Sequence, residues 1–412
     1  MRQMLVLICL QLASVPTTFA QAPDAAAEEP NSPANVESSA NMGKPSTVFQ
    51  AGEAGYKVFR IPAIVKASNG DFLAFCEARQ GGDASEIDLV FRRSSDDGRT
   101  WGRIQVVGES SDYQDWYPSR EITVGNPAPV VDLISREHPG RILLPFTVEN
   151  DRVAVTFSDD HGKSWSPARE ITSAVKLEQW GWYATGPVHS IQLTRGKHRG
   201  RIVVPCDHRL GDKGADRGPN GAHLIYSDDH GESWQLGAID DSYDDPLNAN
   251  ETAVVELPSG ELYLNTRDQH GAAPGTRGAA RSLDGGASFV PTRATGYQAF
   301  RPCAAVLDPP VVQCSMLTIE ASDAPEEADL VLFCGPDNDG PTGKGRSDLR
   351  LRISADGARS WRDGPLIHSG PAAYSDLVRL DSERIGILFE AGPIGGGPYQ
   401  SIRFQVLGLS EL

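Results

Sequence analysis

One eight-residue pattern recurs five times along the chain, and it leaves little choice of architecture. It reads SSDDGRTW from Ser94, SDDHGKSW from Ser158, SDDHGESW from Ser227, SLDGGASF from Ser282 and SADGARSW from Ser354. The shared form is S-x-D-x-G-x-[ST]-[WF], and in the last copy Ala358 stands in the glycine slot. The starts are 64, 69, 55 and 72 residues apart. Repetition at that scale, with uneven spacing, predicts one multi-stranded unit per copy joined by loops of different length. The pattern is that of a tight hairpin turn. Its aspartate accepts backbone N–H groups, its glycine permits positive φ, and its aromatic residue pins the turn to the blade. Strand-like runs flank the copies, as in Ile87–Arg92 and Gly200–Pro205, and helical periodicity is nearly absent. The sequence therefore predicts an all-β, six-bladed β-propeller. Five patterned units and the strands after Tyr374 make six, and a strand near Val48–Ile64 joins the C-terminus to close the ring.

The ends of the chain and its charge narrow the role. Residues 1–20 read as a signal peptide, with Arg2 before an apolar run from Met4 to Val15 that is too short to span a membrane. Residues 21–45 are rich in Ala, Pro, Ser and Glu and predict a disordered linker, so the propeller is expected over 46–412. The protein is then exported, to the periplasm or beyond. No second apolar stretch of spanning length follows, so no transmembrane segment is expected. A formal charge of −17 argues against nucleic acid as a partner. An anionic substrate then needs a local cluster of cations. Five cysteines remain after the leader. Cys303 and Cys314 flank one hairpin and are the best placed for a disulfide, while the others sit in apolar runs as small hydrophobes.

Several segments resemble the exo-α-sialidase family of bacteria and animals, in which these turns are known as Asp boxes. The resemblance spans nearly the whole chain after residue 45. It begins at YKVFRIPAIV, residues 56–65, whose F-R-I-P places Arg60 at the family's first arginine. GGDASEIDLVFRRS places Asp83 at the acid/base position, with Ser85 where the family has glycine. NANETAVVELPSGELYLNTRD places Glu251 and Arg267. GRSDLRLRISADG places Arg346 as the third arginine, with Arg350 and Arg352 as nearby rivals. PAAYSDLVRL places Tyr374 at the nucleophile, and LFEAG places Glu390 as the support of the first arginine. The segments stand in family order.

The residue types suit the chemistry that the resemblance implies. Sialic acid carries a carboxylate on its anomeric carbon. Three arginines clamp such a group through charge-assisted, planar contacts that lysine cannot reproduce. A carboxylate nucleophile would be repelled by the substrate, whereas a tyrosine hydroxyl approaches neutral. Glu251 takes its proton, and Asp83 serves as acid and then as base. The implied activity is retaining hydrolysis of terminal sialic acid from glycans, glycoproteins or glycolipids, with no cofactor and no metal. Arg79 and Tyr183 are further candidates for substrate contact, although Arg79 has Glu77 and Glu86 as rival partners. Asp207, His208 and Arg209 follow a strand that reaches the same region. GWYATGPVHSIQL, residues 181–193, resembles a family stretch that borders the pocket, with Val188 and Ser190 in place of its glycines. GPDNDG near Asp337 lacks the ligand spacing of a calcium loop. Two alternatives stay open: a hydrolase or transglycosylase for a related 2-keto sugar acid, and a non-catalytic sugar-binding propeller.

Overall fold

A computed structural model describes residues 43–118, 120–211, 218–271, 275–293, 295–321, 329–337 and 345–412. The leader and all but the last three linker residues, and Asn338–Gly340 of the loop near Asp337, lie outside them. The described chain is built almost wholly of antiparallel strands in five sheets. The first runs Val58–Lys66, Phe72–Arg79, Ile87–Ser94 and Gln105–Gly108. In the second, the short strands Val124–Gly125 and Val130–Asp132 both pair with Arg141–Val148, followed by Arg152–Ser158 and Arg169–Glu170. The third begins with Trp180–Thr185 and Ile191–Gln192, both paired with Ile202–Leu210, and continues through Asn220–Ser227 and Gln235–Ile239. The fourth runs Ala249–Glu256, Leu262–Asp268, Arg277–Ser282 and Arg301–Pro302. The fifth has seven strands, from Ser315–Ile319 through Leu330–Pro336, Ser347–Ser354, Arg362–Arg379, Arg384–Ala391 and Ser401–Gly408 to Ser46–Gln50.

The strand Arg362–Arg379 divides that last sheet. Its first half pairs with Ser347–Ser354 and its second with Arg384–Ala391. Residues of both halves, Leu332 and Ile353 on one side and Leu377 and Phe389 on the other, share one apolar cluster. The N-terminal strand pairs antiparallel with Ser401–Gly408, Ser46 opposite Phe404 and Gln50 opposite Ser401. The closing strand is thus Ser46–Gln50 alone, and Val58–Lys66 begins a sheet of its own. Innermost strands touch in a cycle: 58–66 with 130–132, then 191–192, 249–256, 315–319, 362–379 and back to 58–66. Other apolar clusters fill the space between neighbouring sheets, as where Phe75 and Phe91 meet Ile142 and Phe146. The arrangement is propeller-like, and it collects the ends of many strands around one axis.

The recurrent turns do more than close hairpins. In the copy at Ser227, Asp229 accepts the Ser233 N–H at 2.8 Å while Ser227 Oγ accepts the Gly231 N–H at 2.8 Å. The same set recurs around Asp96, Asp160, Asp284 and Asp356. The slot glycines are left-handed, Gly98 at φ 77° and Gly231 at φ 89°, and Ala358 takes the same conformation at φ 61°. Each turn docks on the sheet before it, not on its own blade. A Cβ at Gly98 would meet the Phe404 ring at 2.2 Å, and one at Gly162 would meet Leu73 at 2.3 Å. Trp101 packs edge-on to Phe404 and Trp165 to Phe75 and Phe91. Glycine is needed there both for its φ and for its missing side chain.

All five described cysteines are free, so the expected Cys303–Cys314 bridge does not form. Cys314 is buried with its thiol directed at the Val312 carbonyl, and Cys303 lies against the Asn265 amide at 3.2 Å. Both pack in an apolar cluster instead.

Candidate active site

Strand irregularities put the polar residues at the mouth of the axis. In F-R-I-P, Pro62 disfavours helical backbone at Ile61, and Ile61 sits at φ 60°. That conformation is uncommon and costly for a β-branched residue. The ladder to Phe72–Arg79 shifts register between Arg60 and Ala63. Comparable shifts fall between Ala249 and Thr252, around Glu251, and between Ala372 and Ser375, around Tyr374. Bulges of this kind re-aim side chains out of the alternating pattern.

The cavity that results has a volume of about 500 Å³ and is lined by Arg60, Arg79, Asp83, Glu251, Arg267, Arg346 and Tyr374 among others. Glu390 is fully buried behind it. One of its oxygens accepts Arg60 Nε at 2.6 Å and the Ile61 N–H at 3.0 Å, and the other accepts the Tyr374 N–H at 3.2 Å. A single carboxylate thus holds the strained Ile61, the first arginine and the tyrosine strand together. Tyr374 Oη donates to Glu251 Oε1 and accepts Arg267 Nη1 at 3.1 Å. Arg267 Nη1 also donates to Glu251 Oε2 at 2.8 Å. Burial and the Glu251 charge push the Tyr374 hydroxyl up from its ordinary value, and Arg267, Arg346 and Arg60 pull it down. Arg346 Nη1 donates to Tyr399 Oη at 2.9 Å.

Asp83 sits on the loop between Phe72–Arg79 and Ile87–Ser94, its side chain 88% exposed, and it pairs with Arg79 Nη1. Partial desolvation acts to raise its pKa, yet the Arg79 guanidinium holds it below the ordinary aspartate value. Arg79 itself is anchored by Glu77, whose other oxygen accepts the Asn126 N–H at 2.8 Å. So Arg79 lies in the cavity with both Glu77 and Asp83 as partners.

The remaining candidates divide. Arg346 lines the cavity, whereas Arg350 pairs with Asp337, and Arg352 is buried against Asp308 and Asp337. Tyr183 is a correction: it is fully buried, its hydroxyl against Cys206 Sγ at 3.4 Å, in the apolar cluster between the second and third sheets. A register shift between Trp180 and Trp182 turns Trp182 to the cavity in its place. Arg209 also lines the cavity, its guanidinium 4.4 Å from the Trp182 ring centroid. Asp207 is buried beneath, accepting Asn250 Nδ2 at 2.6 Å, and burial followed by the Glu251 charge raises its pKa well above the ordinary value. His208 stacks on Trp180 away from the cavity, and burial lowers it to about 3.

Of the 181–193 stretch, Trp182 and Ala184 line this cavity, whereas none of residues 186–190 does. Val188 is buried in a core cluster. The backbone N–H of His189 donates to Asp376 Oδ2 at 3.1 Å, and its ring Nδ1 meets Oδ1 at 2.7 Å. Asp376 Oδ2 also accepts the Ile64 N–H at 2.9 Å, so this pair ties three elements on the axis. His189 faces a separate recess lined by Lys66, Leu133 and Arg379. Residues outside the quoted motifs are Glu77 as an anchor and Asn126, Asn150, Gln269 and Tyr399 as lining, while Trp182 and Asn250 lie inside quoted segments without having been singled out for the pocket. Glu77 carries a signal of its own, its same-face spacing of two from Arg79. No group of three or more metal-ligating side chains occurs among the described residues, and no described helix is long and apolar enough to cross a membrane.

A family model described as a BNR repeat-like domain matches residues 59–387. A sialidase of Bacteroides fragilis is 27% identical over 384 residues, covering 87% of this chain and 64% of that protein. An exo-alpha-sialidase of Aspergillus fumigatus is 26% identical over 414 residues, covering 90% of this chain and 88% of its own length. Among solved structures, the Hadza microbial sialidase Hz136 aligns with a TM-score of 0.72 at 26% identity, over 89% of this chain and 68% of that one. The chain spans less than two thirds of the Bacteroides protein.

Proposed function

The chain belongs to the family of BNR repeat-like domains, and from that premise we propose that it is a retaining exo-α-sialidase with Tyr374 as its nucleophile. The observation that carries this reading is the Tyr374–Glu251–Arg267 contact set, with Arg60 and Arg346 on the same cavity wall. The relatives named as sialidases support it. In this reading the propeller has six blades, the seven-stranded sheet counting as two that share Arg362–Arg379. The apolar cluster between its halves and the cycle of innermost strands support that count.

Arg60, Arg267 and Arg346 bind the carboxylate on the anomeric carbon of the sugar. Tyr374 Oη attacks that carbon as Glu251 takes the phenolic proton. The bond to the leaving oxygen breaks, and protonated Asp83 gives that oxygen its proton. Asp83 then accepts a proton from water as the water displaces tyrosine, and Glu251 returns its proton to Tyr374. Two displacements give net retention. Arg79 holds the Asp83 carboxyl below its ordinary value, so Asp83 must gain a proton before it can act as an acid. Residues 1–20 are read as the segment that directs export.

The test is release of 4-methylumbelliferone from its α-N-acetylneuraminic acid ketoside, wild type beside Tyr374→Phe, across pH 4–8. The wild type is active, its kcat/KM falls as pH rises, and the variant loses at least about 10³-fold. A folded wild type with no activity on this ketoside rejects the reading.

A further inference from the structure

We propose that Tyr399 is a positioning residue that sets two of the three clamp arginines, Arg60 and Arg346, and thereby carries part of the selectivity for a carboxylate. The inference rests on the sialidase reading above.

Tyr399 touches both arginines in different ways. Its hydroxyl accepts Arg346 Nη1 at 2.9 Å, while Arg346 Nη2 donates to the Val311 carbonyl at 2.9 Å. Two bonds from the two terminal nitrogens fix the plane of that guanidinium. Arg60 instead lies over the Tyr399 ring, 4.0 Å from its centroid and nearer than to the Tyr374 ring at 5.1 Å. Its Nε is occupied by Glu390. A guanidinium stacked on an aromatic face keeps its planar edge for a planar anion. Arg267 is held instead by Glu251 and Tyr374. One side chain thus orients two cations that arise 286 residues apart.

The loop that delivers Tyr399 is built for a close approach. After Glu390 the chain reads AGPIGGGPYQ. A Cβ at Gly392 would sit 1.8 Å from the Gly397 carbonyl oxygen, so the loop folds back on itself only with glycine there. The Gly392 N–H donates to the Pro371 carbonyl at 3.0 Å, which ties the loop to the Tyr374 strand. Tyr399 then packs, half-buried, against the cluster that contains Tyr374 and lines the cavity.

The test compares wild type, Tyr399→Phe and Tyr399→Leu in hydrolysis of the methylumbelliferyl ketoside. Calorimetric binding of 2,3-unsaturated N-acetylneuraminic acid and of its methyl ester accompanies it. Tyr399→Phe keeps the ring under Arg60 and loses the acceptor for Arg346. It is expected to raise KM and the Kd of the acid about 5- to 10-fold, with kcat within about twofold and ester binding little changed. Tyr399→Leu raises both about 50-fold. In an Arg346→Ala background the Tyr399→Phe effect disappears. Melting curves accompany each variant, and Tyr399→His, which retains a ring and an acceptor, recovers part of the affinity. Equal KM and Kd for Tyr399→Phe and wild type, equal losses for acid and ester, or additive effects with Arg346→Ala overturn the inference. A wild type that neither cleaves the ketoside nor binds the acid overturns the sialidase reading instead.

Discussion

The outer turns and the inner cavity both rest on carboxylates, but they draw their partners from opposite ranges of the chain. In each recurrent turn the aspartate finds its partners within four residues, as Asp229 does with Ser227 and Ser233. In the cavity, Tyr374 meets Glu251 across 123 positions and Arg60 meets Glu390 across 330. The turns repeat because each performs the same task of docking one sheet on the sheet before it. The cavity residues do not repeat, because each strand end supplies a different part to one shared place. Local chemistry therefore builds the scaffold, and only the closed scaffold assembles the site.

The contrast is sharpest where the two regions should separate rate from stability. Glu251→Gln removes the proton acceptor and charge partner of Tyr374 and Arg267. Its kcat is expected to fall about 10³-fold with little change in melting temperature. A variant that melts early in step with its lost activity would mean that the cavity contacts hold the fold as the turns do. Gly98→Ala reverses the pattern. It forces a methyl group toward Phe404 at left-handed φ, and it is expected to cost about 2–4 kcal/mol in denaturant unfolding. Its kcat/KM below the melting range stays near that of wild type. His189→Gln tests whether a long-range carboxylate contact on the axis is by itself catalytic. Asp376 raises the His189 pKa above its ordinary 6.5 against the opposing effect of burial. The charged pair therefore stabilises the fold fully below pH 6.5, and the contribution fades as pH climbs through the raised value. The variant is expected to lose about 1 kcal/mol near pH 6, less near pH 9, and no activity at either.

That division explains what the sequence could and could not disclose. The turns are contiguous, so their spacing alone points to an all-β repeat fold. Arg60, Glu251, Arg267, Arg346 and Tyr374 were legible because each lies inside a short, distinctive segment, and the structure brings them to one cavity. Tyr183 was misplaced because a one-residue shift at Trp180–Trp182 exchanges the faces of a strand, and no periodicity announces it. The 181–193 stretch reaches the cavity through Trp182 and Ala184, whereas its His189 is captured by Asp376, a partner 187 positions away. Tyr399 carried no motif at all, only a glycine-rich loop whose shape depends on Gly397 lying against Gly392. The cysteines misled in the same manner: sequence proximity suggested a bridge, and apolar packing decided otherwise.

The pairing of Ser46–Gln50 with Ser401–Gly408 also sets a timetable for the nascent chain. Ser46 and Phe404 face each other across 358 positions. At about 5–20 residues per second, the strand synthesised first waits roughly 20 to 70 s for its partner. Through that interval the first sheet lacks its neighbour and the groove for Trp101 does not exist. The Arg60–Glu390 contact is also unmade until residue 390 has emerged. A chain that stops short of the last strand carries every lining residue of the cavity but leaves Ser46–Gln50 without its partner.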